Sequence, residues 1–219
     1  MREPDTRERR KHLVKALQRE GLLRTQRITD AFMKVPREAF VPSYLSGHAY
    51  IDRPLPIGKG QTISAPHMVA IMCEELMLEP GLKVLEIGTG SGYHAAVVSR
   101  AILPGGRITT VEVVRELAER AKKALASISA HNVEVVIGDG SVGYPNNAPY
   151  DRIYYTCAAP GVPDTVMDQL GEGGILLSVE GPAHSTQRLI RYERGSGGEI
   201  TKTPLTYCVF VPLVGKMGY

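Results

Sequence analysis

Val84-Leu85-Glu86-Ile87-Gly88-Thr89-Gly90-Ser91-Gly92-Tyr93 is the stretch on which the fold turns. An apolar run of strand character enters a glycine-rich turn, and the turn opens a segment of helical spacing at 93–103. Glycine permits the tight turn and lets a ligand approach the backbone closely. Outward from this unit the pattern repeats. Strands are expected at 83–87, 107–112, 133–137, 151–156 and 175–179, with helices near 115–128 and 163–170 between them. Near-continuous apolar strands alternating with helices indicate an α/β domain with a mostly parallel, doubly wound sheet covered on both faces. Two further candidate strands, 186–192 and 207–213, flank a Gly/Ser stretch at 195–198 and are expected to close the sheet as an antiparallel pair.

Upstream, one helix is expected at 7–20, stopping at Gly21, and a second at 29–34, meeting Pro36. Residues 41–64 are rich in Pro, Gly and Tyr and show no period. So long a stretch in a compact domain is more often functional than idle. Pro66 opens a helix whose Met68, Met72 and Leu76 share one face.

The chain of 219 residues is 43% hydrophobic and 22% charged, ordinary for a globular domain. Its apolar runs are too short to cross a bilayer, and it begins Met-Arg-Glu-Pro-Asp without an apolar leader, which gives an expectation of a cytoplasmic protein. Cys73, Cys157 and Cys208 lack paired spacing, so buried free thiols are expected and no metal site. The net charge of +3 is uneven: residues 1–27 carry nine Lys/Arg against four Asp/Glu. Such an arm either touches nucleic acid or is the solvated face of a helix. The helical spacing of Leu13, Val14 and Leu17, and the absence of a basic stripe elsewhere, favour the second reading.

The turn also selects a cofactor. A dinucleotide fingerprint, G-x-G-x-x-G, needs glycine at position 93, where Tyr93 stands; Gly92 gives G-x-G-x-G instead. Glu86 sits just ahead of the turn, where it would repel a pyrophosphate but suits the cationic amino-acid end of S-adenosylmethionine. Glu112, closing the next strand, is placed to accept both ribose hydroxyls, or is a strand-end charge. Asp139, in Gly138-Asp139-Gly140, either accepts from the adenine amino group or forms a plain Asp-Gly turn. Together these groups lie along the carboxyl ends of adjacent strands, where open α/β sheets bind ligands.

With these residues in view, the chain resembles the protein-L-isoaspartate O-methyltransferases. Gly60-Gln61-Thr62-Ile63-Ser64-Ala65-Pro66-His67-Met68 is similar to that family's signature ahead of the glycine turn. Val35-Pro36-Arg37, Phe40-Val41-Pro42, Leu55-Pro56-Ile57-Gly58, Gly138-Asp139-Gly140 and Phe210-Val211-Pro212-Leu213 extend the likeness over about residues 33–214. The resemblance implies a Rossmann-like, seven-stranded S-adenosylmethionine-dependent methyltransferase fold with an N-terminal helical addition, as a single domain 1–219. Residues 1–80 would supply the helices and a substrate-side loop, and 81–219 the cofactor-binding sheet. It implies methyl transfer from S-adenosyl-L-methionine to the carboxylate of L-isoaspartyl, and less well D-aspartyl, residues of damaged proteins and peptides. The ester would then return to aspartyl through a succinimide. Ser64 matches the active-site serine, and Gln61, Thr62 and Ile63 the loop beside the peptide. Glu86, Gly88, Thr89, Gly90, Ser91, Gly92, Glu112, Val113, Asp139 and Gly140 match cofactor contacts. The expected partners are damaged proteins, with no nucleic acid and no membrane, and the chain is expected to act as a monomer.

The chemistry agrees. A carboxylate acceptor, with a pKa of about 3.9, is ionised at neutral pH and needs no general base. Sulfonium and carboxylate combine to neutral products, so catalysis rests on alignment and on exclusion of water. Residues 44–64 are a plausible cover. Ser64, just ahead of Pro66, either caps the helix or donates a hydrogen bond to the acceptor carboxylate. His67 reads as structural, and His94 either faces the cofactor or sits on a helix surface. Rival readings are an enzyme methylating RNA or a small molecule, a non-catalytic adenosyl-binding module, and a nucleotide-dependent oxidoreductase. The first leaves 54–70 unexplained, and Glu86 and Tyr93 disfavour the last.

Overall fold

A computed structural model describes residues 5–219. The leader reading and the first basic residue of the arm fall largely on residues 1–4, outside the described residues.

Helix α1 (Thr6–Arg19) starts at Asp5, whose carboxylate accepts from the Arg7 N–H, and buries Leu13, Val14 and Leu17. The apolar stripe faces inward while Arg7, Lys15 and Arg19 face solvent. Arg10 is drawn in, its guanidinium donating to the Tyr50 hydroxyl (2.7 Å), the Met33 carbonyl (3.0 Å) and Glu38 (3.2 Å). Helix α2 (Gln26–Lys34) begins three residues earlier than the sequence suggests, because Thr25 caps it through the Ile28 N–H.

Glu74 anchors this cap. It lies in α3 (Pro66–Glu75), is buried, and one carboxylate oxygen accepts from the Arg24 N–H (2.9 Å), the Thr25 N–H (3.0 Å) and the Thr25 hydroxyl (3.2 Å). Glu74→Ala removes the acceptor that these three groups share and is expected to cost about 1–3 kcal/mol in urea unfolding. A loss below about 1 kcal/mol would mean that water replaces the carboxylate.

The stretch 41–64 is not irregular throughout. After 3₁₀ turns at Arg37–Phe40 and Ser43–His48, β1 (Leu55–Gly58) and β2 (Gln61–Ile63) form a hairpin pairing Leu55 with Ile63 and Pro56 with Thr62. Leu55, Ile57 and Ile63 are buried beneath it. Strands this short, one with a proline, carry too little alternation to be read from sequence.

The main sheet comprises β3 (Lys83–Ile87), β4 (Arg107–Glu112), β5 (Val133–Ile137), β6 (Tyr150–Ala159), β7 (Leu170–Glu180), β8 (Gln187–Arg194) and β9 (Ile200–Cys208), in the order β5-β4-β3-β6-β7-β8-β9. The pairings from β5 through β7 are parallel and those of β7/β8 and β8/β9 antiparallel. This is a Rossmann-like, mostly parallel, seven-stranded sheet. The order reverses at β3, and α4 (Tyr93–Ala101), α5 (Arg115–Ser127) and the short α6 (Asp164–Met167) make the connections. One apolar cluster joins α1–α4 to one face of the sheet; Leu85, Ile87, Ile153, Tyr155 and Leu176 anchor a second on the other.

The last strand differs from expectation. Ile200–Cys208, not 207–213, pairs with β8. It is an edge strand, largely exposed, and its polar Thr/Lys alternation hid it. The more apolar 209–213 instead crosses back over the sheet: the Ala158 N–H donates to the Val211 carbonyl (2.8 Å) and the Leu213 N–H to the Ala158 carbonyl (2.7 Å). The three cysteines are buried and free. Among the described residues no helix is long and apolar enough to span a membrane.

Candidate active site

At the end of β3 the chain turns through Gly88–Gly92. Gly88 has φ of +97°, and a Cβ there would stand 2.6 Å from the Thr156 hydroxyl, so no other residue fits. Gly92, with φ of +85°, leads into α4 and faces Ala121 of α5, 3.1 Å from the position of a Cβ. The Gly88 N–H donates to the Val111 carbonyl (2.9 Å), tying the turn to β4.

Glu112, buried at the end of β4, accepts from the Gly90 N–H through one oxygen (2.8 Å) and from the Val114 N–H through the other (2.9 Å). A carboxylate has about four acceptor positions, so each oxygen keeps capacity for a ligand hydroxyl.

Glu86 is fully buried. It accepts from the Thr110 hydroxyl (2.5 Å) and the Tyr154 hydroxyl (2.8 Å) and, among the described residues, meets no cationic side chain. Burial pushes its pKa up to about 8, against the pull of the two hydroxyls and with the help of Glu112's charge. A buried carboxylate without a cation is costly. A cationic ligand group supplies what is missing, which is the fit expected for S-adenosylmethionine and not for a pyrophosphate.

Gln61, Thr62, Ile63 and Ser64 line the same cleft as Glu86, Gly88–Ser91, Glu112, Val113 and Gly140. Ser64 does not cap α3: the N-cap position is Ala65 and no side chain bonds there. Its carbonyl accepts from Arg37 (2.8 Å), and its side chain is left to the cleft.

Two expected site residues are not on the cleft wall. Gly92 lies behind the turn, packed on α5. Asp139 turns its oxygens to the Ser141 N–H (2.9 Å) and the Lys216 N–H (2.9 Å); its neighbour Gly140 reaches the cleft instead.

The sequence reading missed other wall residues: Thr156 and Cys157 at the end of β6, and Val211–Val214 from the returning C-terminal segment. Only the run Phe210-Val211-Pro212-Leu213 signalled the last group. His94 lies in the wall and is buried, not on a helix surface. Its ring lies against Tyr154, tilted by 45° with centroids 4.6 Å apart, and its Nε2 stands 3.4 Å from the Cys73 thiol. Burial lowers its pKa to about 3, so it is neutral and no proton donor at physiological pH. His67 holds Asp52 through its backbone N–H (2.9 Å) and Nδ1 (3.0 Å), outside the cleft wall.

Comparison with known proteins gives a consistent result. The family described as Protein-L-isoaspartate(D-aspartate) O-methyltransferase matches residues 8–218. A Methanococcus maripaludis (strain C5) protein-L-isoaspartate O-methyltransferase is 51% identical over 199 residues, 91% of this chain and 92% of its own. One from Methanopyrus kandleri is 49% identical over 211 residues, 96% of this chain and 93% of its own. A solved protein-L-isoaspartate O-methyltransferase superposes with a TM-score of 0.88 at 32% identity, covering 95% of this chain and 67% of that one. A Plasmodium falciparum structure of the same description, in complex with S-adenosyl-L-homocysteine, gives 0.82 at 25% identity, covering 93% and 97%.

Proposed function

Since the chain belongs to the protein-L-isoaspartate(D-aspartate) O-methyltransferase family, we propose how its own residues carry that family's reaction. It is an S-adenosylmethionine-dependent enzyme that methylates the free carboxylate of isoaspartyl residues in damaged proteins. When bound, S-adenosylmethionine supplies an electrophilic methyl on a sulfonium. The observation that carries the assignment of parts is one cleft lined by Ser64 together with the buried carboxylates Glu86 and Glu112.

Glu112 accepts the ribose hydroxyls, and the turn Gly88–Ser91, with Val113 and Gly140, encloses the adenosyl group. Glu86 faces the cationic end. Gly92 and Asp139 act from behind, by packing α4 on α5 and by fixing the 139–141 turn. Ser64 donates its hydroxyl to one oxygen of the acceptor carboxylate and so aligns the other; Gln61, Thr62 and Ile63 flank the peptide. No residue need remove a proton, because the acceptor is ionised at neutral pH, with a pKa of about 3.9. His94, held neutral, is consistent with this. Residues 44–64, ending in the β1–β2 hairpin, exclude water. The ester returns to aspartyl through a succinimide, and D-aspartyl residues are poorer acceptors. In this reading 1–80 is the substrate side and 81–219 the cofactor side of one domain. The enzyme works as a monomer in the cytoplasm on protein substrates, without nucleic acid or membrane; its buried free thiols suit a reducing compartment.

The test supplies methyl-labelled S-adenosylmethionine with peptides carrying isoaspartyl or normal aspartyl at one position. Base-labile label on the isoaspartyl peptide alone is expected. Cofactor binding with label on neither would overturn the reading. Ser64→Ala is expected to lower turnover about tenfold to a hundredfold, the worth of one charge-assisted hydrogen bond, with cofactor affinity nearly unchanged. Equal loss of stability and cofactor binding would return Ser64 to a structural role.

A further inference from the structure

Behind Ser64 lies a buried charge that the assignment above does not use. The Arg37 side chain is wholly buried. Its Nε donates to the Ala49 carbonyl (2.8 Å) and its Nη2 to the Ser64 carbonyl (2.8 Å), while Nη1 has no hydrogen-bond partner among the described residues. The guanidinium carbon lies 4.8 Å from the centroid of the Tyr93 ring, which itself lines the cleft. Both fixed partners are carbonyl oxygens. Asp52, whose charge is felt at Arg37, is already engaged by His67. Burial lowers the pKa to about 10, with Tyr93, Asp52 and Tyr50 opposing that fall, so the group stays cationic at neutral pH.

A buried cation that rests on two carbonyls and the Tyr93 ring, with no carboxylate among the described residues hydrogen-bonded to it, is incompletely compensated, and one unsatisfied N–H adds to the cost. The position repays it if an anion arrives beside Ser64. We propose that Arg37 is a positioning residue for the acceptor: it fixes the Ser64 backbone and provides the counter-charge that favours a carboxylate over its neutral ester in the cleft. This inference rests on the assignment of Ser64 to the acceptor carboxylate. It gives the reaction a direction of release, because methylation removes the negative charge that the guanidinium attracts, and the product loses its claim on the site.

The test measures binding of two peptides in the presence of S-adenosyl-L-homocysteine, one with the isoaspartyl α-carboxylate free and one with it converted to the amide. Wild type is expected to prefer the carboxylate by about tenfold or more, as charge-assisted contacts allow. Arg37→Gln is expected to cut that preference to about threefold or less, with S-adenosyl-L-homocysteine affinity within about twofold of wild type. A scaffold role alone would weaken both peptides equally, and that result, or a wild type without preference, overturns the proposal. Arg37→Lys decides the matter if the Gln variant does not fold. Burial lowers a lysine pKa by several units, so its carboxylate preference should fall between about pH 7 and pH 9 while that of wild type stays level. A Lys variant that tracks wild type over this range also overturns it. Ser64→Ala run alongside separates the two failures: unchanged turnover there sinks the Ser64 assignment, whereas impaired turnover with an undiminished preference in Arg37→Gln sinks Arg37 alone.

Discussion

Glu112→Ala is expected to weaken S-adenosylmethionine binding about a hundredfold to a thousandfold, the largest loss of affinity for any single substitution in the cleft. The carboxylate holds the Gly90 and Val114 amides and, in the proposed complex, the two ribose hydroxyls. Hydrogen bonds to a charged group are worth about 1.5–3 kcal/mol each, and the orphaned Gly90 amide loosens the turn that encloses the ligand. Glu112→Gln keeps one acceptor and should lose about tenfold. Titration calorimetry with S-adenosyl-L-homocysteine reads both. A change below about threefold for the alanine variant would remove Glu112 from the ribose site.

The second large effect is on stability. Glu86→Gln is expected to flatten the pH dependence of the unliganded enzyme and to make it more stable than wild type at about pH 8. The pKa of Glu86 is raised by burial from 4.5 to about 8 in the folded chain. Below about pH 4.5 the carboxyl is protonated in both folded and unfolded states, and its favourable contribution is fully present. Between there and about pH 8 the unfolded chain releases the proton while the folded chain keeps it, so stability falls by about 1.4 kcal/mol per pH unit. Above about pH 8 both forms are ionised and the slope ends. The glutamine amide has the shape of the protonated acid, and the Thr110 and Tyr154 hydroxyls can turn to accept from it. Urea unfolding of both proteins at about pH 5 and pH 8 gives the difference, expected to be on the order of 4 kcal/mol between the two pH values. Parallel profiles would show that the buried carboxylate is compensated in some other way.

How much of this was legible in the sequence depends on where each residue's partners lie. Lys83–Ile87 and Arg107–Glu112 are legible with their bounds because strands inside a parallel sheet need continuous apolar side chains, and Val133–Ile137, at the sheet's other edge, because it keeps an apolar Val/Ile run. The glycine turn and the two carboxylates flanking it were legible for the same local reason, since their spacing follows the strand-turn-helix unit. Edge strand Ile200–Cys208 lacks that constraint and was misplaced onto the more apolar segment beyond it. The β1–β2 hairpin escaped because three or four residues cannot show a period. Ser64 was ambiguous until the cap position fell to Ala65. The walls from Val211–Val214 and the buried seat of His94 depend on contacts across the sheet, which no local pattern encodes. Asp139 shows the converse: its place in sequence suited an adenine contact, but its oxygens are turned to backbone amides, one of them contributed by Lys216, far along the chain.

That last arrangement bears on how the enzyme itself ages. An isoaspartyl link forms when the backbone nitrogen after an aspartate attacks its side-chain carboxyl, and a following glycine hinders the attack least. The chain contains one Asp-Gly pair, Asp139-Gly140, and no Asn-Gly. Burial raises the Asp139 pKa, but the hydrogen bonds from Ser141 and Lys216 outweigh it and hold the group below its usual value, so it stays ionised and is a poor electrophile. Gly140 meanwhile opens a 3₁₀ turn and is buried close to Ile87 and Val111, in a fixed turn that opposes the rotation ring closure needs. An enzyme whose substrates are the casualties of this rearrangement thus carries its own most vulnerable linkage clamped at both ends. The C-terminal segment serves as part of the clamp, protecting the chain from the lesion it repairs in others.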